Sequence, residues 1–150
     1  MPVGNLDLQQ CPIAVPEIFW DVRYNAEHFP GAPGVRGVDG GANCQQFAYT
    51  LLRHFGFVIP DFRSSELWDD GLHTRVSANP ARFDLVLVHK RPESYGAHVG
   101  IYVGDDLVLH LSRQIDAPVV EKLNDLQSQE RYHHLIGFKT VLNRRWGETG

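Results

Sequence analysis

The hydrophobic period of this chain changes once, near Pro80, and that change restricts the fold more than any other feature. Before it, apolar residues recur at three- and four-residue spacings; after it, they alternate or run continuously over short stretches. Cys44, Phe47, Ala48, Leu51, Leu52 and Phe55 make one unbroken apolar face of a helix over about 44–55. Asn43 suits the N-cap of that helix and Gly56 the C′ position, while Arg53 and His54 favour its last turn through the helix dipole. Earlier in the chain, Pro16 suits a first helical turn, and Phe19, Val22, Ala26 and Phe29 continue at helical spacing. The run ends at the segment Phe29 to Gly34 and the glycines Gly37, Gly40 and Gly41. Residues 60–81 read as irregular, with one helical turn around Ser65 to Asp69. Beyond Pro80, four stretches read as strands: Phe83–His89, His98–Val103, Leu107–Ser112 and Leu135–Leu142. Residues 116–130 read as a polar connection, partly helical at Val120–Leu126. Helices first and antiparallel strands after them define an α+β fold, and a chain of 150 residues fits one domain over 1–150.

The turn Gly104-Asp105-Asp106 decides what the central hairpin presents. As a three-residue loop it sets Val103 opposite Leu107, and His98, Gly100 and Tyr102 opposite Ser112, His110 and Val108. His98 and His110 then become diagonal neighbours on one face, with Gly100 leaving room for an imidazole over the sheet. Val99, Ile101, Val103, Leu107, Leu109 and Leu111 fall on the other face and require a core. A two-residue loop would split the histidines between the faces. On their own, two such histidines fit cross-strand packing as well as chemistry. A metal pair would need a third ligand from His89, Asp84, His133 or His134, and no ligand spacing joins these, so neither a metal nor a cofactor is expected.

Of the two cysteines, Cys44 opens the best helix in the chain, where unpaired backbone N–H groups and the dipole favour a thiolate, and a nearby imidazolium would raise the thiolate fraction further. Gly40 and Gly41 just before it would let a substrate backbone come close. A small buried apolar residue is the competing reading of Cys44. Cys11, beside Pro12, has no comparable setting. The net charge of −4 gives no reason to expect nucleic acid or an anionic membrane as partner, and no apolar run approaches a membrane span. The N-terminus has neither the basic nor the apolar region of a secretory signal, which makes the cytoplasm the expected location, with signal-independent export as the other route.

Four segments together resemble a known family. Gly41-Ala-Asn-Cys44-Gln-Gln-Phe47 resembles the Asp-Cys-Ser-Gly segment of the NlpC-type papain-like cell-wall peptidases. Phe83-Asp-Leu-Val86 is similar to their Gly-Asp-Leu-Val strand, His98-Val-Gly-Ile-Tyr-Val-Gly104 to their His-Val-Gly-Ile-Tyr segment, and Leu109-His110 to their Ile-His. The likeness runs over about 40–142 in the family's order. It implies a papain-like domain with the nucleophile helix packed on an antiparallel sheet. In it, Cys44 would be the nucleophile, His98 the base and His110 the group that orients His98. It further implies hydrolysis of amide bonds in peptidoglycan stem peptides, often at γ-D-glutamyl linkages, with a peptide or muropeptide as substrate. Asn43, Gln45 and Gly41 are the candidate substrate-binding residues. Asn43 stands where the family has Asp and cannot neutralise a substrate ammonium, and Gln45 stands where it usually has Ser. Only Gly40-Gly41 remains of the family's Tyr-x-Trp-Gly-Gly lead-in. Asn-Cys-x-x-Phe is also similar to the lecithin–retinol acyltransferase-like thiol enzymes, in which the histidine precedes the cysteine. Thiol acyl transfer and a non-catalytic, ligand-binding relative are the two other readings.

Overall fold

The aliphatic residues beyond Pro80 pair into a single antiparallel sheet, seen in a computed structural model that describes residues 11–146. Its strands are β1 (Thr74–Ser77), β2 (Leu85–His89), β3 (His98–Gly104), β4 (Leu107–Ser112), β5 (Ala117–Lys122) and β6 (His134–Val141), in the order β1-β6-β2-β3-β4-β5. Four short or medium helices accompany them: α1 (Glu17–Trp20), α2 (Cys44–His54), α3 (Ser64–Asp69) and α4 (Leu123–Gln127). The α2 helix packs on β3 and β4. Its Phe47, Ala48, Leu51, Leu52 and Phe55 form one buried cluster with Leu85, Leu87, Val99, Ile101, Val103, Leu107, Leu109 and Leu111. This is the α+β, papain-like arrangement. The opposite sheet face carries a second cluster, in which Val86, Val88, Val108 and Phe138 meet Leu123 and Leu126 of α4 and Tyr132 of a 3₁₀ turn (Glu130–Tyr132).

The central hairpin departs from its expected turn and still delivers the expected faces. Asp105 and Asp106 form a two-residue turn, with φ of 53° and 63°, and Gly104 pairs with Leu107. The register shifts between Tyr102 and Gly104, so Val103 is a β-bulge. That extra residue offsets the shorter loop, and Tyr102 opposes Val108 and Ile101 opposes Leu109 as a three-residue loop would have required.

Three further expectations give way. The helix read through Phe19 to Phe29 lasts only from Glu17 to Trp20. Beyond it, long-range bonds take over the backbone: Tyr24 N–H donates to Asp116 Oδ1 at 2.7 Å, and Asn25 N–H and Ala42 N–H exchange bonds with Ala42 and Arg23 carbonyls at 2.9 and 3.1 Å. Within 60–81, Thr74–Ser77 is an edge strand paired with β6. Within 116–130, Ala117–Lys122 is a strand and the helix begins only at Leu123. As the sheet's other edge, β5 tolerates Pro118, which offers no N–H to a further strand. A buried lysine ties α3 to the sheet: Lys139 of β6 is 1% exposed and donates to the Trp68 and Asp70 carbonyls at the C-terminal end of that helix.

Candidate active site

Cys44 is the first residue of α2, and the turn before it is fixed on both sides. Asn43 Oδ1 accepts the Gln46 N–H at 2.8 Å, capping the helix, and Asn43 N–H donates to the His28 carbonyl at 2.9 Å. The thiol is 9% exposed. The backbone N–H groups of Val99, Gln45 and Cys44 itself favour its thiolate, but burial has the larger effect and pushes the thiol above its ordinary value. The helix-start donors thus act in the direction expected from the sequence, but desolvation outweighs them. Cys11 is a second free thiol, half-buried and also pushed up by burial.

His98 and His110 meet as the hairpin register requires. His98 Nε2 lies 2.8 Å from His110 Nδ1, with the rings edge to face at a centroid separation of 4.9 Å. Gly100 makes this possible, since a Cβ there would sit 2.8 Å from Val108 Cγ1 and 3.1 Å from His110 Cβ. Tyr132 stacks on His98 at 4.6 Å and 24°. Burial, then the neighbouring His110 and Arg131, hold His98 well below the usual 6.5. A raised thiol and a lowered imidazole both favour their neutral forms. On its far side His110 Nε2 lies 2.7 Å from Glu121 Oε2, and Gln129 Nε2 donates to Glu121 Oε1 at 3.0 Å.

Cys44 sits where two cavities meet. The larger, about 750 Å³, is lined among others by His98, Tyr132, Lys90, Arg113 and Arg131. The smaller, about 440 Å³, is lined by Asn43, Gln45 and the Arg63–Glu66 turn of α3. Tyr24, Gly96 and Ala97 border both. Asn43 and Gln45 thus lie on the cleft wall, although the Asn43 carbonyl oxygen is occupied by the helix cap. Gly41 borders neither cavity. A Cβ on it would meet the Arg23 carbonyl at 2.8 Å, and one on Gly40 would meet the His28 ring at 2.9 Å. At these two glycines the chain's own 23–28 segment makes the close approach. The cleft also contains residues that no motif or periodicity singles out. Tyr24 is one, its hydroxyl pushed above its ordinary value chiefly by burial. Tyr132 and Gln129 are the others; Gln129 and the buried Glu121 that it bonds come from the segment read as a polar connection, where the β-branched Val119-Val120 pair was the available signal for a strand. Among the described residues no group of three or more His, Cys, Asp or Glu side chains could hold a metal ion, and no helix is long and apolar enough to cross a membrane.

The NlpC/P60 family matches this chain over residues 31–137, and the chain belongs to that family. It is a family of cell-wall peptidases and hydrolases, generally acting through a cysteine. Among solved structures, an NlpC/P60 family protein from Bacillus cereus ATCC 10987 superposes with a TM-score of 0.53 at 23% identity. The match covers 69% of this chain and 32% of that one, so the chain spans about a third of that relative's length, and the likeness is one of fold. No curated protein matches the chain.

Proposed function

We propose that this protein is a thiol-dependent amide hydrolase acting on peptidoglycan stem peptides at γ-D-glutamyl or related linkages, with Cys44 as nucleophile, His98 as general base and acid, and His110 as the group that orients His98. The observation that carries this reading is the shared cleft: a helix-start thiol and a histidine already bonded through Nε2 to a second ring border the same cavity. His98 Nδ1 is left for the thiol proton. As Cys44 Sγ attacks the scissile carbonyl carbon, the S–H bond breaks and an N–H bond forms at His98 Nδ1. Collapse of the tetrahedral adduct returns that proton to the leaving amine, and water then hydrolyses the thioester by the same base. The Cys44 backbone N–H is a candidate donor to the oxyanion, an interaction worth about 3 kcal/mol.

The cleft's charge supports a carboxylate-bearing substrate. Lys90, Arg113 and Arg131 border the larger cavity with one carboxylate, Glu130, among its lining residues. Arg113 lies over the Tyr24 ring and Arg131 over the Tyr132 ring, so both guanidinium groups flank the path to the thiol. Asn43 in place of a carboxylate argues against a requirement for a free substrate ammonium on the other side. Incubation with defined muropeptides, with products read by mass, tests the proposal: the wild type cleaves, Cys44→Ala does not, and Cys11→Ala retains activity. Survival of cleavage in Cys44→Ala, or equal loss in both variants, refutes it.

A further inference from the structure

Glu121 is 4% exposed, lies on the edge strand β5, and ends a chain of side chains that begins at the cleft. His110 stands between two partners, its Nδ1 2.8 Å from His98 Nε2 and its Nε2 2.7 Å from Glu121 Oε2. A carboxylate has no hydrogen to give, so His110 Nε2 must carry one and donate it. A neutral His110 then has its lone pair on Nδ1 and accepts from His98 Nε2–H. With its hydrogen on Nε2, His98 has the lone pair on Nδ1, the nitrogen left for the thiol. Each assignment forces the next.

We propose that Glu121 is a positioning residue that sets the tautomer of both imidazoles, so that His98 offers Nδ1 as a base to Cys44. The inference rests on the thiol–imidazole reading above and adds a member that acts only through His110. A neutral group at position 121 removes the constraint. His110 can then carry its hydrogen on Nδ1 and donate to His98 Nε2, which puts the remaining hydrogen of a neutral His98 on Nδ1, where it cannot accept from the thiol. No proton travels to Glu121 at any point; the single transfer is from Sγ to His98 Nδ1. Stability alone gives little reason for a carboxylate here, since burying one is costly and an apolar residue of similar volume serves a core as well. The second oxygen is satisfied too, by Gln129, which holds the carboxylate plane toward His110. A carboxylate that fixes a catalytic histidine's tautomer directly is worth about 10⁴-fold in serine hydrolases; acting through an intervening ring, the effect expected here is smaller, about tenfold or more.

The test combines imidazole ¹⁵N chemical shifts with alkylation of Cys44 by iodoacetamide, read by mass. In the wild type above pH 7 both rings should be Nε2–H tautomers. In Glu121→Gln a Nδ1–H population should appear at His98, and alkylation near pH 7 should slow about tenfold or more, then converge with the wild-type rate in strong base, where the thiol ionises without help. Glu121→Asp, which keeps the charge, should retain more of the neutral-pH rate than Glu121→Gln. A wild-type His98 carrying its hydrogen on Nδ1 overturns the proposal, as does a Glu121→Gln protein with wild-type tautomers and rate. If Glu121→Gln does not fold, the wild-type tautomers decide alone. Failure of the underlying reading looks different: His98→Ala would then alkylate at Cys44 as fast as the wild type.

Discussion

The two faces of the β3–β4 hairpin are built from alternate residues of the same strands and differ in almost every physical respect. The face toward α2 presents Val99, Ile101, Val103, Leu107, Leu109 and Leu111, all buried and all aliphatic. The face toward α4 presents His98, Gly100, Tyr102, Val108, His110 and Ser112, in which two imidazoles are packed among hydrogen-bond partners and an aromatic ring. One face is replaceable by any well-packed hydrocarbon of the same volume. The other holds polar groups in one protonation pattern that hydrocarbon could not reproduce. The sheet thus separates stability from chemistry by a single residue of register, and the Val103 bulge keeps that separation across a two-residue turn.

The comparison is open to mutation. Leu109→Ala empties a site on the aliphatic face and should cost about 2–5 kcal/mol in denaturant melts, while the alkylation rate of Cys44 per folded molecule stays at wild-type level. Gly100→Ala inserts a methyl group on the polar face against Val108 and His110; it should cost about 1–3 kcal/mol and also slow Cys44 alkylation, since His110 must move. Equal behaviour of the two variants in both readouts would break the distinction. The polar face should also be the acid-sensitive one. Because His98 titrates below its unfolded value of 6.5, the unfolded chain binds the extra proton first as pH falls. The stability associated with a neutral His98 is present above 6.5 and is lost as pH drops from there toward the lowered folded value. A melting temperature that falls from pH 7 to pH 5, with a shallower fall in His98→Gln, is the expected result. Smallest of all is the exposed Arg23–Asp116 pair, where Arg23→Ala should leave the denaturant midpoint close to that of the wild type, because water screens both partners.

The sequence was most readable where structure is local. Cap, apolar stripe and C′ glycine place α2 within a residue, and the alternation in β3 and β4 identifies both faces. It was least readable where distant segments supply the bonds. Phe19 to Phe29 has helical spacing, yet Asp116 and Ala42 claim the backbone at Tyr24 and Asn25. Residues 117–122 carry Pro, Glu and Lys and resemble a loop until β4 pairs with them, which is why Glu121 and the Gln129 beyond it escaped notice. Burial of Cys44 by the rest of the chain, which pushes its thiol up, is likewise absent from any local reading of a helix start.

The central claim, that Cys44 and His98 act as one unit, is tested most directly by the pH profile of iodoacetamide alkylation at both cysteines in the wild type and in His98→Ala. The account predicts that wild-type Cys44 reacts much faster than Cys11 near neutral pH, with an acid limb below 6.5 where His98 titrates, and that His98→Ala removes this limb and leaves only the alkaline titration of a buried thiol. A wild-type Cys44 no more reactive than Cys11, or a His98→Ala profile identical to the wild type, would contradict it.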